Sequence, residues 1–194
     1  MKAIAITPPV PVVAEASILS AMLEEGWWRV HLRHPGATVE TYAAILADIS
    51  TGLLERVTVH DHFALLSPCF PGIGIQENSR QSIPAGSRLE GCSLSRGVHG
   101  VDEALECTDV DYVTLSPIFD SISKQGYRTP FSDEDLRRLD GARVEVMALG
   151  GVDIERIPLL ARYNFGGFAM LGAIPWQAGS RAVLEFTRKT IALC

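Results

Sequence analysis

The chain has no surplus of basic residues: 17 Lys and Arg stand against 23 Asp and Glu, for a formal charge of −6. Nucleic acid and anionic membrane both require a basic face, so neither is an expected partner. No apolar run approaches the roughly 18 residues of a membrane span, and no basic stretch followed by an apolar run marks the amino terminus. Cysteine is scarce, with Cys69, Cys92, Cys107 and Cys194 far apart and none in Cys-x-x-Cys or zinc-like spacing. They read as buried or terminal thiols of a reducing compartment, so a soluble, cytoplasmic protein is expected. Repeats, low-complexity tracts and linkers are missing too. A chain of 194 residues, 47% hydrophobic, therefore reads as one domain, 1–194, with a packed core.

What the sequence does contain is alternation. Short β-branched runs at Lys2–Ile6, Trp28–Leu32, Arg56–His60, Pro71–Ile75, Ser87–Ser93, Tyr112–Ser116, Arg143–Ala148 and Gly167–Leu171 read as strands. Segments of helical period fall between them at Glu15–Glu25, Val39–Thr51, Asp102–Cys107, Asp133–Leu139, Asp153–Tyr163 and Gly179–Ala192, several opening on an Asp, Ser or Thr suited to an N-cap. The crossover after the third strand (Asp61–Phe70) is short, and the one after the fourth (Gln76–Gly86) carries Pro84 and Gly86, which argue against a full helix. This is the α/β pattern of a parallel sheet flanked by helices. At about 24 residues per unit it fits a trimmed TIM barrel or an open doubly wound sheet, and both bind ligands at the carboxyl ends of their strands.

Polar residues gather at those ends. His31-Leu32-Arg33-His34-Pro35-Gly36 closes the second strand and His60-Asp61-His62 the third, together taking in four of the five histidines. Strand side chains repeat every two residues, so His31 shares a face with Arg33 and His60 with His62. An arginine at a barrel mouth points to an anionic ligand, the alternative being a pair between Arg33 and Asp61 or another acid. His-x-His beside an aspartate suits a transition metal, but no further His or Cys completes a tetrahedral set, and hydrogen-bonded rim histidines are the preferred reading. After the sixth strand, Ser121, Ser123 and Lys124 offer donors and charge to phosphate, or form an ordinary solvated loop. Gly150-Gly151 after the seventh strand and Leu171-Gly172 after the eighth let backbone approach an anion, unless they serve only as tight turns.

These residues resemble the thiamine phosphate synthase superfamily, which includes a thiazole tautomerase. DYVTLSPIFDSISK at Asp111–Lys124 is similar to the family's DYVGxGPxFxTxTK, ALGGV at Ala148–Val152 to AIGGI, and GGFAMLGAI at Gly166–Ile174 to GxAVVSAI. The likeness runs from the second strand to the eighth. It implies a small TIM (β/α)8 barrel with shortened crossovers after strands three and four. The implied activity joins an aminopyrimidine diphosphate to a thiazole phosphate, through a pyrimidine carbocation, and releases pyrophosphate with Mg2+.

Position by position, the family's QxRxK falls on His31, Arg33 and Pro35, so the arginine is kept and the lysine lost. Its ND pair falls on His60 and Asp61. HxGQxD falls on Gly74-Ile75-Gln76-Glu77-Asn78-Ser79, which holds no aspartate but has Glu77 nearby. The resemblance thus implies catalytic roles for Lys124, Arg33 and His60, and metal binding by Asp61 with Glu77 beside it. Implied substrate contacts come from His31, Arg33, Ser93 (with Ser95 a competitor), Ser121, Ser123, Lys124, Gly150, Gly151, Leu171 and Gly172. The departures cluster on the diphosphate and magnesium half, where His31, His34 or His60 would supply positive charge and raise activity at mildly acidic pH. The expected partners are small phosphate-bearing substrates, with a homodimer as the assembly. Two alternatives stand beside the synthase: a tautomerase-like isomerase, which has Pro117 where the family's catalytic histidine follows strand six and so needs His31 or His60 as base, and a non-catalytic phosphate-binding barrel.

Overall fold

A computed structural model describes residues 1–78, 91–120 and 130–194. Eight strands run parallel in chain order: β1 (Lys2–Ile6), β2 (Arg29–Leu32), β3 (Val57–Val59), β4 (Gly74–Glu77), β5 (Leu94–Val98), β6 (Tyr112–Leu115), β7 (Glu145–Leu149) and β8 (Gly167–Met170). β8 pairs with β1 from Lys2 opposite Gly167 to Ala5 opposite Met170, so the sheet closes and the open doubly wound alternative is excluded. The closing seam is tight. A Cβ on Gly167 would stand 2.0 Å from the Lys2 carbonyl oxygen.

Helices α1 (Glu15–Glu24), α2 (Val39–Ala47), α3 (Phe63–Leu66), α4 (Val101–Glu106), α5 (Asp133–Arg137), α6 (Ile157–Leu160) and α7 (Ser180–Ile191) cover the barrel. Local chemistry sets several starts. Thr38 caps α2 by accepting from the Thr41 amide, and Ser132 with Asp135 forms a capping box on α5. The helix expected over Asp153–Tyr163 shrinks to α6, which opens on Ile157-Pro158. Residues 60–73 between β3 and β4 hold only the single turn of α3, and residues 99–111 between β5 and β6 only α4, so the crossovers after β3 and β5 are short, while most of the one after β4 lies outside the described residues.

The fifth strand is a correction. Expected over Ser87–Ser93, it begins at Leu94, because Gly91 at φ +78° turns the chain just before it and the Asp111 carboxylate accepts the Leu94 amide at 2.8 Å. Leu94-Ser95-Arg96-Gly97-Val98 is disguised by an interior glycine and a charged residue that faces the helix layer.

One apolar cluster fills the space between strands and helices, and a second, of Ile4, Ile6, Tyr112, Met147 and Ala169, fills one side of the barrel. The inward positions of β2 to β6 make the other side polar, with Arg29, His31, Thr58, Gln76, Ser95 and Thr114 all buried. Trp27 is core, fully buried with its indole N–H donated to Thr187 of α7 at 3.2 Å, and Trp28 stands edge-on to Tyr112. Among the described residues no helix is long and apolar enough to cross a membrane.

Candidate active site at the barrel mouth

Alternation along β2, β3 and β6 stacks a polar column inside the barrel. His31 is fully buried, with Nδ1 3.0 Å from His60 Nε2 and Nε2 2.7 Å from the Tyr112 hydroxyl. Below them Arg29 donates to the Glu55 carbonyl at 2.8 Å and to Thr58 Oγ1 at 3.4 Å, and Thr58 lies 3.4 Å from Tyr112. Burial first, then His60 and Arg29, hold His31 well below the usual histidine range, so it is neutral. Burial likewise pushes the Tyr112 phenol up and keeps it a hydroxyl. Beside this column Ser95 donates to Gln76 Oε1 at 2.9 Å.

Half-buried His60 carries the column to the mouth, where Asn78 donates to the His60 carbonyl at 2.8 Å. Asp61 follows it on the rim, half-buried. The backbone at Arg33 is pinned by its amide bond to Thr7 Oγ1 at 2.8 Å, and no acid among the described residues pairs with its guanidinium. That sets aside the pairing with Asp61 and leaves Arg33 as a half-buried cation at the strand end.

Across the mouth, Gly150 and Gly151 adopt φ of +89° and +67°, and a Cβ on Gly151 would come within 2.6 Å of the Asp120 carbonyl oxygen. The loops after β6 and β7 therefore touch backbone to backbone. Arg156 ties them by donating to the carbonyls of Gly151 at 2.6 Å and Asp120 at 3.3 Å. Leu171 and Gly172 follow β8, and Gly172 has nothing within 4 Å of a side-chain position. They line an apolar hollow of about 370 Å³ with Pro8, Pro9, Ile174 and Trp176.

Several expected site residues stand elsewhere. His31 spends both ring nitrogens inside the protein and reaches the mouth only through His60. His34 is buried between the Pro8 carbonyl and Glu15, 2.8 Å from each, and neither it nor neutral His31 supplies charge at the mouth. His62 does not share a face with His60: at φ +60° it leaves the extended course and bonds the Ala37 carbonyl. Glu77 lies on the outer face of β4, gripped at 2.6 Å by Arg96, which also holds Asp109. With β5 starting at Leu94, Ser93 precedes the strand, beside Gly74 at the amino-terminal end of the barrel, and Ser95 points inside. Ser121, Ser123 and Lys124 lie outside the described residues.

His99 is the residue sequence reasoning passed over. It follows β5 directly, is exposed, and donates from Nδ1 to the Ser116 carbonyl at 3.0 Å. Placing the fifth strand at Leu94–Val98, directly after the expected Ser87–Ser93, would have put His99 at a strand end. Tyr112, Thr58 and Asn78 were also missed, because an inward position is visible only once the register is known.

The model of the thiamine monophosphate synthase family matches residues 4–174. A thiamine phosphate pyrophosphorylase from Bacteroides thetaiotaomicron superposes with a TM-score of 0.84 at 28% identity, over 100% of this chain and 97% of that one. The Pyrococcus furiosus thiamine phosphate pyrophosphorylase gives 0.77 at 20% identity, over 99% and 94%. The fold is shared more widely, as by (S)-3-O-geranylgeranylglyceryl phosphate synthase from Thermoplasma acidophilum, with a TM-score of 0.67 at 13% identity over 99% and 92%. No curated protein matches the chain in sequence.

Proposed function

Since the chain belongs to the thiamine monophosphate synthase family, we propose that it joins an aminopyrimidine diphosphate to a thiazole phosphate and releases pyrophosphate. The observation that supports this reading is the two-sided mouth: Arg33 and His60 follow β2 and β3, and glycine-bearing loops follow β7 and β8 across the barrel. One side suits the departing diphosphate and the other the phosphate of the incoming thiazole. As the C–O bond to pyrophosphate breaks, the leaving group takes the electron pair and the thiazole nitrogen forms the new C–N bond. Arg33 and the donor atoms of His60 stabilise the departing charge, and the glycine loops hold the nucleophile in line. Ser121, Ser123 and Lys124 complete the phosphate side in this reading.

The pair of carboxylates that the resemblance implies for magnesium does not assemble among the described residues. Glu77 is turned outward and paired, and no group of three His, Cys, Asp or Glu residues gathers there. Asp61 is the one carboxylate of that pair at the mouth. Incubating the protein with both substrates over a magnesium titration tests the reading: thiamine phosphate should form, and Glu77→Gln should leave the magnesium dependence unchanged. Failure to form product while thiazole phosphate still binds would reject the synthase in favour of a binding barrel.

A second reading has one specific support. His99 Nδ1 is bonded to a backbone carbonyl, so a neutral His99 keeps Nε2 as the basic nitrogen beside the end of β6. That suits a tautomerase-like proton transfer on a thiazole carboxylate. Isotope exchange into that compound should then be abolished by His99→Ala, and exchange that persists rejects the reading.

A further inference from the structure

The polar column has a direction. Arginine offers only donors, so at the inner end Thr58 Oγ1 must accept from Arg29 Nη1, at 3.4 Å. The threonine proton is then available to the Tyr112 oxygen, 3.4 Å away, and the Tyr112 proton turns to His31 Nε2 at 2.7 Å. A neutral imidazole that accepts on one nitrogen donates from the other, so His31 donates from Nδ1 to His60 Nε2 at 3.0 Å. In this order every dipole turns its negative end toward the buried Arg29 cation. The reverse order would turn the Tyr112 proton away from His31, either to Thr58 on the side of that cation, where water cannot screen the repulsion, or to Ser95, whose own proton goes to Gln76 Oε1 at 2.9 Å.

We propose that Tyr112 and His31 are positioning residues that lock the His60 ring as its Nδ1–H tautomer, making it a hydrogen-bond donor to an acceptor atom of the diphosphate substrate. The substrate clause rests on the synthase reading, and the tautomer does not. His60 is thereby removed as a base for proton transfer. Neither positioning residue touches substrate, and both act through the ring nitrogen that His60 turns inward.

Ring-nitrogen NMR of the full-length protein labelled with 15N-histidine tests this at pH 8, with the signals assigned from His31→Gln and His60→Gln. Both His31 and His60 are expected to be protonated on Nδ1. In Tyr112→Phe, His31 loses the donor on Nε2, so His60 should become a mixture of tautomers and thiamine phosphate formation should fall about tenfold. Protonation of His60 on Nε2 in the unmutated protein overturns the proposal even if Tyr112→Phe fails to fold. So does a His60 spectrum unchanged in that variant. Nδ1–H at both residues in a protein that makes no thiamine phosphate upholds the relay and rejects the synthase.

Discussion

A histidine held neutral inside a barrel makes stability depend on pH. His31 is depressed by burial, His60 and Arg29, whereas in the unfolded chain it takes up a proton near pH 6.5. Above that pH both states are neutral there and nothing changes. Below it the unfolded state binds one proton more, and each pH unit of acidification lowers the free energy of unfolding by up to about 1.4 kcal/mol through this site. Urea unfolding of His31→Gln, compared with the unmutated protein between pH 8 and 5, should show that part of the slope removed. Identical slopes would mean that His31 is not held neutral. The same burial decides chemistry: His31, two residues before Arg33, and Glu77, at the end of β4, were both expected at the site and serve other ends, because contact and side of the strand, not proximity in sequence, determine what a group meets.

Among the elements, the loops after β6 and β7 act as one unit. Gly151 approaches Asp120 more closely than any side chain allows, and Arg156 joins their carbonyls while its guanidinium lies 5.5 Å from the Phe119 ring. Arg156→Ala should release the pair and displace the phosphate side of the mouth. The KM for thiazole phosphate is expected to rise roughly 10- to 100-fold, since small misplacements of a binding group cost that much. An unchanged KM would separate these loops from the substrate. The glycine pair was legible as a motif, but the tie made by Arg156 was not, because Asp120, the second carbonyl it bonds, lies on the loop after β6, 36 residues back in the chain. The fifth strand was misplaced for a related reason: Arg96 and Gly97 break the apolar alternation locally and make sense only against Glu77, Asp109 and the barrel interior.

For the molecule as a whole, the critical contact is the seam between its first and last strands. Gly167→Ala would press a methyl group into the Lys2 carbonyl and force β1 from β8. A loss of about 3 kcal/mol is expected in urea unfolding, toward the upper end for overpacking. A variant as stable as the parent would show that the seam can open without consequence.

The β/α alternation pointed to a parallel α/β sheet and the family motifs to its barrel form, because periodicity and turn chemistry are local properties; closure itself was decided by the pairing of β8 with β1. Which polar residues meet was settled by closure. Pairing strands far apart in the chain buried His31 behind His60, brought Tyr112 beneath them, turned Glu77 away to Arg96, and set His99 against Ser116. A side chain's face and neighbours depend on where its strand begins and what lies opposite, and no local pattern carries that information.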